Sequence, residues 1–286
     1  MATGQGFRWR TVIEVGLISA VIYVLLGAPG LPASITSGSQ AAKQHVPVAG
    51  AKIQSLVYPD KDLQCPGHNY DIHVFSTTPL IIYIDGFLSD SEAEHLVDIS
   101  EGKWQVSTVF NEGIETTDAS VRKSEKALVD RDHTVQCIEQ RALSIQGWPQ
   151  ETFIERLWTQ RYNTSGHYAQ HYDWATASKA ARRVSTFMVY LSADCTGGGT
   201  NFPRIERPGD DDARWCEFLE CGVDATTEEG QGVTFKARKG AAVFWMNFDA
   251  DGRGYKETIH AGMPVTGGTK VGLNIWSWYQ AGHRID

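Results

Sequence analysis

The pattern of apolar and polar positions changes character twice along the 286 residues of the chain. Arg8 and Arg10 precede an uncharged, strongly apolar run from Val15 to Gly27, which Ala-Pro-Gly-Leu-Pro-Ala extends to Ala33. A membrane-spanning helix needs about 20 apolar residues and a signal-peptide core about 7–15. With its extension the run meets the longer requirement, and no small-x-small cleavage site follows it. Basic residues on the N-terminal side hold that end in the cytosol. The expectation is a cytosolic tail over 1–10, a signal anchor over 11–33 and a stem over 34–66, rich in Ser, Thr, Gly, Ala and Gln without apolar periodicity. A cleaved signal peptide is the other reading of the same run. Both send the remainder into the secretory pathway.

From Thr78 onward the chain reads as a folded domain, assigned to residues 67–286. Leu80 to Ile84 is a short apolar run that predicts a strand. Ser89-Asp90-Ser91-Glu92 has the spacing of a capping box, and Ala93, Leu96, Val97 and Ile99 follow at helical spacing. A second helix is predicted from Asp132, with Val135, Ile138, Leu143 and Ile145 on its apolar face, ending before Gly147-Trp148-Pro149. Beyond it, ERLWTQRY, VSTFMVYL, GVTFKAR, AAVFWMNF and VGLNIWSWY are short β-branched and aromatic runs bounded by Gly, Pro and Asp. A long polar stretch from Pro203 to Gly232 interrupts them, longer than an ordinary loop. Helices followed by many strands predict a mostly β, α+β domain with a barrel or sandwich core.

Composition narrows the function. A net charge of −8 and a pI near 5.6 argue against nucleic acid as a partner. Cys216 and Cys221 are close enough in sequence for a local disulfide, while the odd total of five cysteines leaves a thiol without a partner in the chain. Without Cys-x-x-Cys, a zinc site is not indicated. CTGGGTNFP, from Cys195 to Pro203, lacks the lysine and helix of a phosphate loop.

The candidate chemistry lies in GHYAQHYDWAT, from Gly166 to Thr176. On a strand His171 and Asp173, two residues apart, project from one face. That pair is two-thirds of a 2-His-1-carboxylate set, which binds Fe(II) and leaves positions open. His260 in ETIHAGMPV is the best-placed third ligand, following strand-like sequence and preceding a turn. A His-x-Asp pair by itself is more commonly a structural hydrogen bond. His167 replaces His171 if the segment is helical, although the turn-rich Asn163–Gly166 and the flanking Tyr and Trp favour a strand. A serine hydrolase lacks its Gly-x-Ser-x-Gly elbow. Ten residues after His260, Lys270 alternates onto the same strand face as Trp276, either as an edge charge or as a buried cation for a dicarboxylate.

Together, RYNTSGHYAQHYDW, RVSTFMVYLSADCTGGGTNFP, KGAAVFWM and ETIHAGMPVTGGTKVGLNIW resemble the prolyl 4-hydroxylase branch of the Fe(II)/2-oxoglutarate dioxygenases. The likeness runs from about Thr78 to Tyr279, and ASVRKSEKALV resembles that family's Arg-x-Ser segment. The resemblance implies a double-stranded β-helix, a jelly-roll core with helices on one side. It implies iron ligation by His171, Asp173 and His260. Lys270, Tyr162 and Thr200 match positions around the distal carboxylate of 2-oxoglutarate, and Trp276 matches a tryptophan at the mouth of the site. Tyr168, Arg183 and Trp278 fall where the family contacts its peptide. Hydroxylation of an aliphatic C–H, first of all in a peptidyl proline, would consume O2 and 2-oxoglutarate, with ascorbate as reductant, in the lumen of the endoplasmic reticulum or a later secretory compartment.

Three departures lie toward the substrate. Val271 replaces the usual tryptophan after the lysine, Trp278 stands in place of a histidine, and Gly197-Gly198-Gly199-Thr200 lacks the glutamate of Gly-Gly-Glu-Thr. A free amino acid or small metabolite is therefore the alternative substrate, and an inactive membrane-tethered binding module the alternative of another class. Asn163-Thr164-Ser165 is a glycosylation sequon beside Tyr162, where a glycan would crowd the cleft. The sequence sets no oligomeric state.

Overall fold

A computed structural model describes residues 50–111, 114–174, 178–207, 213–222 and 230–284. The expected signal anchor lies outside them. Among the described residues no helix is long and apolar enough to cross a membrane.

Among the described residues three α-helices are formed: α1 (Gly50–Gln54), α2 (Asp90–Asp98) and α3 (His133–Ile145). The start of α2 is the predicted capping box, with the Ser89 hydroxyl accepting from Glu92 N and the Glu92 carboxylate accepting from Ser89 N. Asp132 caps α3 by accepting from Val135 N at 2.9 Å. The same Glu92 carboxylate accepts from Arg141 of α3 at 2.7 Å, so the cap also joins the two helices.

The principal strands are β1 (Leu56–Val57), β2 (Asp71–Thr77), β3 (Leu80–Asp85), β4 (Glu125–Leu128), β5 (Thr152–Glu155), β6 (Trp158–Asn163), β7 (His167–His171), β8 (Ala181–Gly197), β9 (Thr200–Phe202), β10 (Val233–Phe235), β11 (Ala242–Met246), β12 (His260–Gly262) and β13 (Val265–Gln280). The larger sheet runs β2-β3-β11-β8-β13-β6-β4, with β5 pairing β13 and carrying β1 on its other edge. The smaller sheet runs β10-β9-β12-β7. From β6 onward the chain crosses back and forth between the two antiparallel sheets. That is the connectivity of a jelly roll, the double-stranded β-helix expected from the sequence.

Two-residue alternation assigns the faces. Phe187, Val189 and Leu191 of β8 and Leu273 and Ile275 of β13 point outward, where they form one core with Leu96 of α2 and Ile138 and Leu143 of α3. Met188 and Tyr190 belong to a second core with Phe202, Phe235, Val243 and Trp245. The helices thus cover one face of the larger sheet, and the other face looks across to the smaller one.

The N-terminal boundary differs from expectation. Residues 50–66, read as stem, are built into the domain: β1 pairs β5, and the Tyr58 ring lies 6.1 Å from those of Phe153 and Trp148. The long polar stretch is also partly folded, through a 3-10 turn at Ala213–Glu217 and the Cys216–Cys221 disulfide. Cys195 is the free thiol.

A second disulfide joins Cys65 to Cys137 of α3 across 72 residues. Constraining so long a loop in the unfolded chain is worth about 4 kcal/mol in the chain-entropy model. Replacing both cysteines by serine is expected to lower the unfolding free energy by about 2–4 kcal/mol in urea titrations. With both proteins under reducing conditions, which also open Cys216–Cys221, the wild type should converge on the variant.

Candidate active site

His171 is the last residue of β7 and His260 the first of β12, and the register pairs them directly. Their ring centroids are 4.2 Å apart. The strand ends at His171, so Asp173 lies in the turn that follows rather than on the strand. The turn still returns its carboxylate to the imidazoles: Oδ1 is 3.8 Å from His171 Nε2 and Oδ2 is 3.9 Å from His260 Nε2. One donor atom from each residue lies within 4.8 Å of the others.

The imidazoles are oriented by their own strands. His171 Nδ1 donates to Ala169 O at 2.9 Å, and His260 Nδ1 donates to Thr258 O at 2.9 Å. Each bond fixes the proton on Nδ1 and leaves the Nε2 lone pair facing the carboxylate, as metal-binding histidines require. Burial, and then the nearby His260, push the His171 pKa down to about 3. Burial alone would raise the Asp173 carboxyl, but His260, Arg183 and His171 hold it down to about 2. Near neutral pH His171 is a neutral imidazole and Asp173 a carboxylate, and with the Nε2 of His260 facing them they make a donor set that fits Fe(II).

Lys270 of β13 pairs with Tyr162 of β6 and is only 2% exposed. Its Nζ donates to Gly198 O at 2.6 Å and sits 5.3 Å from the Tyr162 ring and 5.2 Å from the Tyr190 ring. Among the described residues it has no ion pair. A Cβ on Gly198, whose φ is +73°, would approach the Lys270 stem to 3.2 Å, so glycine there leaves room for the lysine. Tyr190 donates to or accepts from Thr200 Oγ1 at 2.7 Å on the same side. Thr200 pairs with Gly262, two residues from His260 on β12, which places it about 7 Å along the strand from the imidazole.

Trp276, expected at the mouth, donates from Nε1 to Asp173 Oδ2 at 3.1 Å. Tyr168 stacks on His171 with centroids 3.6 Å apart, and the Arg122 guanidinium covers its other face at 4.5 Å. Arg183 lies 3.8 Å over Trp276, donates to Asp173 O at 3.0 Å and grips Glu155 with two bonds of 2.8 and 3.0 Å. Lys52 of α1 also bonds Glu155 and lies 4.3 Å over Trp278. Trp278 is buried beside Leu56, Phe153 and Ala181, with its indole N–H on Gln280. Asn163 is exposed, and strand alternation turns it away from buried Tyr162.

Sequence reasoning passed over Tyr190, Glu155, Thr186 and Asn247. Thr186 donates to Asp173 Oδ2 at 2.8 Å. Tyr190 and Thr186 stand in VSTFMVYL, where alternation assigns them to a face but does not show what shares it.

A jelly roll with a His-Asp-His cluster between its sheets and a buried lysine beyond it defines a class of metal-dependent oxygenases. The model of the 2OG-Fe(II) oxygenase superfamily matches residues 157–278. Prolyl 4-hydroxylase 1 of Arabidopsis thaliana is 30% identical over 220 residues, covering 73% of this chain and 72% of that protein. The chain belongs to the prolyl 4-hydroxylase-like 2OG-Fe(II) oxygenases. Prolyl 4-hydroxylase subunit alpha-3 of Mus musculus is 29% identical over 257 residues, covering 84% of this chain, but the chain spans only 41% of that relative. A solved 2OG complex of the viral collagen prolyl hydroxylase of Paramecium Bursaria Chlorella virus-1 is 26% identical, with a TM-score of 0.49, covering 69% of this chain and 95% of that one.

Burial lowers the Lys270 pKa from 10.5 to about 8. Between these values the folded state binds fewer protons than the unfolded chain, so stability rises with pH across the window and is lowest below it. The Lys270→Met variant is expected to be more stable than wild type at pH 7, by on the order of 3 kcal/mol in ligand-free protein. Urea unfolding at neutral and alkaline pH checks this, and the gap between the two proteins should close near pH 10.5.

Proposed function

We propose that the protein is an Fe(II)- and 2-oxoglutarate-dependent dioxygenase that hydroxylates peptidyl proline. The observation that carries the reading is Lys270: a buried ammonium without an ion-pair partner among the described residues, on the barrel side that also holds the His-Asp-His cluster. A buried cation is costly unless paired. The distal carboxylate of 2-oxoglutarate would supply that partner, and His171, Asp173 and His260 would hold the metal that takes its 2-oxo-acid end.

In this reading His171, Asp173 and His260 hold Fe(II), whose bound state with 2-oxoglutarate and O2 supplies the oxidising chemistry. Lys270 receives the distal carboxylate by charge-assisted hydrogen bonding, with Thr200 and Tyr162 beside it. Trp276 belongs to the co-substrate side as a support of Asp173. Tyr168 and Arg183 flank the substrate, and their stacked and paired side chains give the C–H donor a fixed wall. Trp278 is buried and capped by Lys52, so its part is to shape that wall from behind.

The names of the relatives support proline as the target, and ascorbate as reductant is proposed with it. The Cys65–Cys137 and Cys216–Cys221 disulfides suit an oxidising compartment. We assign the domain to the secretory lumen, held by the N-terminal signal anchor as a type II membrane protein.

Oxygen-free protein mixed with Fe(II) and 2-oxoglutarate should develop a metal-to-ligand charge-transfer band, and the His171→Ala variant should not. A folded wild-type protein without the band would refute the metal assignment. The Lys270→Ala variant should retain Fe(II) and lose affinity for 2-oxoglutarate by roughly 100-fold, about 3 kcal/mol for a buried charge pair. Mass spectrometry of peptide and free amino-acid panels then identifies the product, which should carry one added oxygen on proline.

A further inference from the structure

The carboxylate of Asp173 is held from behind by a chain of hydrogen bonds whose direction is fixed at its far end. Trp245, 1% exposed, can only donate, and its Nε1 lies 3.1 Å from Asn247 Oδ1. That assigns the amide of the fully buried Asn247: its oxygen faces Trp245 and its nitrogen faces the other way. Asn247 Nδ2 donates to Arg183 O at 3.3 Å and to Thr186 Oγ1 at 3.2 Å. Thr186 Oγ1 therefore accepts from Asn247 and must spend its one proton elsewhere, on Asp173 Oδ2 at 2.8 Å. Trp276 Nε1, also donor-only, adds a second bond to the same oxygen at 3.1 Å.

Oδ2 thus receives two hydrogen bonds, while Oδ1 accepts none among the described residues; Arg183 approaches it only to 3.7 Å. We infer that Asn247 and Thr186 are positioning residues that select Oδ1 as the single metal-ligating oxygen of Asp173. Two donors occupy the lone pairs of Oδ2 and fix the carboxylate plane, which favours one-oxygen ligation and keeps a metal position open. Trp245 joins both ends of the centre. Its indole packs edge-on against the His260 ring at 4.7 Å, so the side chain that orients Asn247 also seats the second imidazole.

This inference rests on the metal-site reading above, and its test separates the two. Co(II) binding to the metal-free full chain is followed by absorption and calorimetry. Thr186→Val keeps the shape and removes the donor; it should weaken Co(II) binding by about 10–100-fold, the usual effect of losing an outer-shell partner. Thr186→Ser should restore most of the affinity. In Asn247→Asp the new carboxylate accepts from both Trp245 and Thr186, drawing the threonine proton away from Asp173, and should give a similar loss. Because both changes act through one hydrogen bond, the Thr186→Val/Asn247→Asp double variant should lose no more than Thr186→Val alone. Wild-type Co(II) affinity in Thr186→Val, or losses that add in the double variant, would overturn the inference and leave the metal site standing. No Co(II) binding by folded wild type would overturn both. If Asn247→Asp does not fold, the valine–serine pair at Thr186 decides the matter.

Discussion

The pairing of β8 with β13 is the constraint on which the rest of the molecule depends. These are the two longest strands, and their antiparallel ladder runs from Ala181 opposite Gln280 to Gly197 opposite Val265. The face that looks into the barrel carries Thr186 and Tyr190 from one strand and Lys270 and Trp276 from the other. The opposite face carries the leucines, isoleucine, valine and phenylalanine that receive the helices. A slip of one residue would exchange the faces and drive an ammonium into the helix-covered core. The hydrophobic pattern that folds the sheet therefore also selects which polar groups meet. Register shifts between Arg183 and Ser185 and between Tyr190 and Ser192 re-aim the ladder beside the site.

The two polar centres within the barrel are supported in opposite ways. Asp173 is held ionised without any ligand by the hydrogen-bond donors Thr186 and Trp276 and by the Arg183 guanidinium nearby. Lys270 has one carbonyl and two aromatic rings, and burial works against its charge. In the proposed reading an anion completes the second centre, and the stability given up by burying Lys270 would be recovered when that anion enters.

The sequence made much of this legible, for physical reasons. Capping residues announce helices locally, and both predicted helices begin at their caps, Ser89 and Asp132. The His-x-Asp spacing survives although the strand stops at His171, because the turn preserves convergence of the two side chains. Asn247 left no trace, since its side-chain bonds reach Trp245 on one strand and Arg183 and Thr186 on another, and an asparagine in MNFD reads as turn chemistry. The Cys65–Cys137 link was equally hidden, as connectivity depends on where distant segments pack. The stem assignment over 50–66 failed to see β1 because two paired residues carry no periodicity.

That short edge strand has a consequence for how the domain can be divided. Leu56 and Val57 close one edge of the sheet beside β5, and Lys52 reaches the carboxylate that also holds Arg183. A fragment begun at residue 67 would shed the strand, the lysine and the partner of Cys137 in one cut. Its Glu155 would face Arg183 alone, and the guanidinium in contact with Asp173 would no longer share that carboxylate with a second cation. The folded unit is thus longer than the barrel, and it begins well before the first residue of the His-Asp-His cluster.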